Sequence, residues 1–307
     1  MLLVRCSEQR PPLVAHAAPC TLYSERYILG VPMIRSLPLL ISALALLCSS
    51  TSALACPKVG GLPDLNCDRE AKVLVLGDSL VFGIGDTDND NKGGYLLRTS
   101  LQFPNASFLN YGVGGRRVSR TIGDLEAAFL GTGDTQLAND LADADVVFFD
   151  FGRNDWWERK PPLATWRNLK RCRDIIQTNV QRITGHKPLV ITAQMSLANR
   201  TGQGTWVVEL NALLAQKSTS STPADLRFNA LSKKLLGDQV HPTPKGYQIL
   251  AKIFTSYLTK VLPKHAAKFR KDEDADGLYD EYERERFGMD PTLQDTDGDG
   301  IKDGDEV

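Results

Sequence analysis

Apolar runs and helical periodicities alternate through the middle of the chain. Residues 73–76 are a continuous branched apolar run, the pattern of a fully buried strand and too short for a helix. Similar runs fall at 145–151 and 189–194, with a shorter one at 108–111. Between and after them, apolar positions recur at helical spacing over 95–103, 124–130, 135–143, 166–184, 206–217 and 244–262. Pro244 opens the last of these, where proline suits the first helical turn. Strands alternating with helices predict a parallel sheet covered on both faces.

Polar and glycine features stand at the ends of these runs. Gly77-Asp78-Ser79-Leu80 follows the first, Gly112-Val113-Gly114-Gly115 the second, and Gly152-Arg153-Asn154-Asp155 the third. Asp238-Gln239-Val240-His241-Pro242 precedes the last helix. The carboxyl ends of the strands are where open α/β sheets keep their ligand crevice. Ser79 is there either a helix N-cap or a nucleophile. A serine hydroxyl attacks only when a base takes its proton; histidine suits that near neutral pH, and a carboxylate fixes its tautomer. Asp238 and His241 are spaced to aim from one short turn into one crevice. The Ser79 amide, a glycine amide and the Asn154 side chain are candidate donors for a developing oxyanion.

Charge changes the domain picture. The 307 residues are 42% hydrophobic and 24% charged, enough for one sizeable core and an appendage. Residues 272–307 hold 15 acidic and 3 basic side chains, a net of −12 against −1 for the whole chain, so the remainder carries +11. That break marks a boundary. Residues 1–55 read as a leader, with a signal peptide at about 33–55: Arg35, an apolar core over 37–48, and Ala53-Leu54-Ala55 for cleavage. Its 12-residue core is shorter than the roughly 20 residues of a membrane span. Met33 is the expected start. Residues 56–71 follow as an N-terminal segment in which Cys56 and Cys67 pair in an oxidising compartment, lipidation of Cys56 being the alternative. Cys172 is left as a small buried hydrophobe. The basic body carries no nucleic-acid motif or basic stripe, which argues against nucleic acid as a partner.

The four blocks in this order resemble the SGNH (GDSL-type) hydrolase superfamily, over residues 77–241. The resemblance implies a three-layer α/β/α flavodoxin-like fold for residues 72–262 and an esterase or acylhydrolase. It makes Ser79 the nucleophile, His241 the base and Asp238 the orienting acid, with Ser79, Gly115 and Asn154 as the oxyanion hole and no cofactor for catalysis. Asn110-Tyr111-Gly112-Val113-Gly114-Gly115 fits the family's glycine block and selects Gly115, with Gly114 as runner-up. Arg153 stands where many members have a second glycine, which puts bulk and charge at the cleft mouth or in solvent. No Gly-x-Ser-x-Gly elbow surrounds Ser79, so the α/β-hydrolase reading fails on its own signature. Asp155 reads as a loop cap, Trp156 and Trp157 as pocket walls or packing, Arg116 and Arg117 as a solvated pair. His186 reads as a surface residue, and His265 lies in a basic linker over 263–271.

The acidic tail, 272–307, repeats one register at an offset of 23 residues. Asp272, Asp274, Asp276, Asp280 and Glu283 match Asp295, Asp297, Asp299, Asp303 and Glu306, at positions 1, 3, 5, 9 and 12 of a loop with glycine at 6. That is the oxygen set of a Ca2+ loop, with Leu278 or Ile301 giving the carbonyl at position 7. The Asp-Thr-Asp-Gly-Asp-Gly run is similar to thrombospondin type 3-like calcium repeats; an EF-hand pair is the alternative. Taken together, the chain reads as a secreted or periplasmic serine esterase acting on acyl or acetyl esters of lipids or carbohydrates. The other reading is a non-catalytic extracellular binding module stiffened by calcium.

Overall fold

The computed structural model describes residues 58–306 apart from 67, 221, 270, 275, 277–279 and 281–282. The leader, Met33, Cys56, Cys67 and Leu278 lie outside the described residues. No described helix is long and apolar enough to cross a membrane.

Five parallel strands form one sheet: β1 (Lys72–Gly77), β2 (Ser107–Gly112), β3 (Val146–Asp150), β4 (Leu189–Gln194) and β5 (Leu226–Arg227). Their order across the sheet is β2-β1-β3-β4-β5. Eight α-helices within residues 79–269 accompany them: α1 (Ser79–Phe82), α2 (Gly94–Ser100), α3 (Val118–Phe129), α4 (Thr135–Ala142), α5 (Pro162–Thr184), α6 (Gln203–Gln216), α7 (Pro244–Lys260) and α8 (Leu262–Phe269). Alternation along each strand divides the core in two. Val73, Val75, Val146, Phe148 and Ile191 pack under Tyr247, Leu250 and Phe254 of α7 and Leu262 and Phe269 of α8. Leu74, Leu76, Val147, Phe149 and Val190 pack on the other face under Leu125 of α3, Ile176 of α5 and Leu210 of α6. This is the expected three-layer α/β/α arrangement.

Two local readings change. The helix expected at 124–130 begins at Val118. Its first turn has no N-cap of its own; Asp155, from the loop after β3, accepts the Val118 amide at 3.0 Å. A cap supplied from elsewhere leaves no local trace. The expected linker, 263–271, is largely helix α8. Leu262, Ala266 and Phe269 bury its inner face, and His265 pairs with Asp225 at 2.9 Å. The two-residue β5 carries too short a pattern to be read.

Candidate active site

In the order β2-β1-β3, the sheet reverses direction of growth at β1, and the crevice of such sheets opens beside that point. Gly77 lies level with Gly112 of β2 and Asp150 of β3. The Ser79, Gly115 and Asn154 segments therefore leave the sheet side by side. Gly77 is required by a close approach: a Cβ there would lie 2.0 Å from Val81 Cγ2. The chain turns at once into α1, which Asp78 caps by accepting the Leu80 amide at 3.0 Å. Ser79 thus holds the first helical position, and its hydroxyl remains available.

His241 comes from 162 positions away, yet its Nε2 lies 2.9 Å from Ser79 Oγ. Its Nδ1 lies 2.6 Å from Asp238 Oδ2. Asp238 Oδ1 also accepts the His241 amide at 2.8 Å, so one carboxylate fixes both ring and backbone. Gln239 takes the left-handed conformation (φ 76°), and its carbonyl accepts the Asn199 amide at 2.7 Å. The loop is tied to the helix that follows it. Thr243 Oγ1 accepts the Gly246 amide, and Tyr247 of α7 donates to the Ile84 carbonyl at 2.7 Å. Gly85 lets the loop approach, since a Cβ on it would meet the Pro242 carbonyl at 2.5 Å. The Asp238 side chain is 59% exposed and that of His241 21%, so the dyad stands on an open rim. Partial burial raises the Asp238 carboxyl, but the His241 hydrogen bonds and the backbone amides outweigh it and hold it below the usual range.

Asn154 Nδ2 donates to the Arg116 carbonyl at 3.2 Å and, at a longer 3.4 Å, to Asp78 Oδ2. It therefore joins the Gly115 turn to the residue before Ser79. Gly115 has φ 70° and open space where a Cβ would be. Gly114 is near Ile84.

Arg153 is a correction. It neither lines the cleft mouth nor points to solvent; it is buried under the site. Its Nη1 donates to Asp78 Oδ1 and its Nη2 to Asp150 Oδ1, both at 2.7 Å. Tyr95 donates to Asp150 Oδ2 at 3.2 Å. Burial raises the Asp78 carboxyl and Arg153 offsets part of that. Arg153 stays cationic because the two carboxylates outweigh its own burial. Asp150, three residues before an arginine at the end of an apolar strand, is the signal for an inward pair, and a comparison of Arg153 with the family's glycine does not use it. Arg116 also departs from the solvated pair expected: it is mostly buried and 3.6 Å from Asp124, while Arg117 pairs with Glu158 at 3.5 Å.

Trp156 and Trp157 meet edge to face, 4.6 Å apart between centroids. Trp156 packs on the core, whereas Trp157 is half-exposed with Arg200 5.2 Å above its ring. With Trp206, Arg159 and Lys160 they line a cleft of about 410 Å³. His186 sits before β4, at the end of the sheet opposite Ser79, and is not part of the site. Cys172 is buried, its thiol pushed up to about 12 by burial.

The tail brings carboxylate oxygens together in three groups, each within 4.8 Å: Asp272, Asp274 and Asp276; Asp276, Glu283 and Asp303; Asp295, Asp297 and Asp299. Asp280 and Glu306 join none of these groups among the described residues. Asp280 instead accepts the Glu273 amide at 2.8 Å and pairs with Lys271 and Arg284. Both oxygens of buried Glu283 lack a hydrogen-bond partner, which suits a hard cation bound by oxygen ligands.

None of the curated proteins matches the chain. Several solved structures resemble it. A member of the lipolytic G-D-S-L family from Veillonella parvula is 18% identical, with 62% of this chain and 100% of that one covered and a TM-score of 0.49. The aryl esterase of M. smegmatis is 17% identical, with 62% and 100% covered and a TM-score of 0.48. A psychrotrophic esterase from Pseudoalteromonas sp. is 13% identical, with 63% and 100% covered and a TM-score of 0.47. A family model matches residues 75–249, which is more than half of the sequence and takes in Ser79, Asn154, Asp238 and His241. On that match the chain belongs to the GDSL-like lipase/acylhydrolase family and is an ester-bond hydrolase.

Proposed function

We propose that the protein hydrolyses carboxylic esters through an acyl-enzyme on Ser79. Ser79 Oγ attacks the carbonyl carbon while His241 Nε2 takes its proton. Asp238 holds the ring through Nδ1 and stabilises the imidazolium. The carbonyl oxygen, now negative, is met by the amides of Ser79 and Gly115 and by Asn154 Nδ2, whose long contact to Asp78 is the one an oxyanion displaces. The tetrahedral centre collapses and expels the alcohol, which takes the proton from His241. A water, deprotonated by the same nitrogen, then attacks the acyl group and returns Ser79 to its free form. The observation that carries this reading is the 2.6 Å and 2.9 Å relay from Asp238 through His241 to Ser79. Turnover of a short-chain p-nitrophenyl ester by wild type and Ser79→Ala tests it. A fall on the order of 10³-fold or more is expected; equal rates overturn it.

Two further parts of the reading have separate support. The repeated Asp/Gly register and the unpartnered Glu283 carboxylate support Ca2+ binding by the tail, where the oxygens of Asp272, Asp274, Asp276 and Glu283 would hold one ion and those of Asp295, Asp297 and Asp299 another. Calcium would order a segment whose carboxylates otherwise repel one another. The leader over 33–55 supports a secreted or periplasmic location; mass spectrometry of the mature N-terminus checks it, with a start near residue 56 expected.

A further inference from the structure

We infer that Asp303, a residue of the second repeat, is a ligand of the first loop's ion. The first ion is then shared between the two repeats, so the two calcium sites are not independent. This rests on the calcium reading above and changes its architecture.

Glu283 carries the argument. It is fully buried, and neither carboxylate oxygen has a hydrogen-bond partner. An ionised carboxylate out of water needs a counter-charge. Among the described residues, the cations flanking the first loop are committed elsewhere: Lys271 and Arg284 both pair with Asp280. What faces Glu283 is more negative charge, an oxygen of Asp276 and one of Asp303, all within 4.8 Å of one another and all buried. Calcium takes oxygen ligands at about 2.3–2.6 Å, so oxygens on opposite sides of one ion lie at about this separation.

The two position-9 residues confirm that the loops are not used alike. Each backbone amide is fixed the same way, Asp280 N to the Lys271 carbonyl at 2.8 Å and Asp303 N to the Gln294 carbonyl at 2.9 Å. Each carboxylate accepts the amide seven residues earlier, from Glu273 and Thr296 respectively. Asp280, however, is then neutralised by two cations, whereas among the described residues none pairs with Asp303. The second bond of Asp303 comes from the neutral Thr296 hydroxyl at 2.6 Å. Each of its oxygens keeps a second lone pair for a metal. Asp276 belongs to both the first-loop group and the buried group, and so links the two.

The test is calcium binding to the full chain by equilibrium dialysis and isothermal titration. Glu283→Gln marks the first-loop ion and Asp297→Asn the second. Asp303→Asn is then compared with each. The expected result is that Asp303→Asn weakens the ion lost in Glu283→Gln at least tenfold. Thr296→Val removes the hydroxyl that braces Asp303 while leaving its charge, and should keep that ion within about threefold. The inference is overturned if Asp303→Asn weakens only the ion lost in Asp297→Asn. It is equally overturned if Thr296→Val reproduces the Asp303→Asn loss, which would make loop folding the cause. A wild type that binds no calcium overturns the calcium reading itself, a result distinct from either of these.

Discussion

Removing Arg153 strips the counter-charge from two carboxylates at once. Asp78 and Asp150 are both about fully buried, and each gives one oxygen to the guanidinium at 2.7 Å. Arg153→Met keeps the volume of the stem and deletes the fork. Breaking a buried ion pair by removing one partner costs about 3–5 kcal/mol, because the other charge is left unpaired. Asp150 retains the Tyr95 hydroxyl, and Asp78 retains the Leu80 amide, so the total should stay near that range rather than double. Against a stability of about 5–15 kcal/mol this is a large fraction. With a urea slope near the upper end of about 1–3 kcal/mol/M, the midpoint falls by roughly 1–2 M. The variant carries its own pH signature. Asp78, already raised by burial, folds more easily protonated once its arginine is gone, so the gap to wild type should narrow between pH 7 and pH 5. Arg153→Lys supplies the charge but not the planar fork, and should fall between the two. Urea unfolding at both pH values, with p-nitrophenyl ester turnover alongside, measures all of this. A loss under about 1 kcal/mol, or a gap unchanged at pH 5, would refute the claim that the triad needs its arginine.

Three further outcomes follow from the same coordinates. Gly85→Ala puts a Cβ where the Pro242 carbonyl lies, 2.5 Å away, and should lower kcat/KM about tenfold or more by moving His241 off Ser79, with roughly 1–3 kcal/mol of strain; an unchanged rate would show that the loop shifts freely. Burial raises Asp155 to about 6, against the pull of the Val118 amide. Its folded form therefore binds a proton more readily than its unfolded form, and wild type should gain about 2–3 kcal/mol over Asp155→Asn as pH falls from 7 to 4, read from urea midpoints. Phe269→Ala should cost about 3–5 kcal/mol in the same assay, since α8 is part of the core; a loss under about 1 kcal/mol would restore the linker reading of 263–271.

Residues 73–76, 145–151 and 189–194 were legible because a strand buried on both faces needs a short apolar run bounded by polar turns. The partners Ser79, Asp238 and His241 were legible because each lies at a strand end or helix start that such runs define. What escaped depends on partners distant in sequence. The N-terminus of α3 is capped by Asp155, 37 positions on. Arg153 takes its direction from Asp78, 75 positions back. A lone arginine in a loop usually reaches water, and only the pairing of β1 with β3 brings a second buried carboxylate within its reach. The tail register was visible for the same reason as the strands, as a repeat. That Asp303 faces Glu283 was not, because a register says nothing of how two loops fold on each other.

On the proposed mechanism, a chain made from its N-terminus exposes Ser79 long before its base, His241, has been made. The gap of 162 positions means that a partly made molecule holds a hydroxyl with no more reactivity than any other serine. Under that mechanism, hydrolysis begins only once the turn ahead of α7 has brought His241 to Ser79.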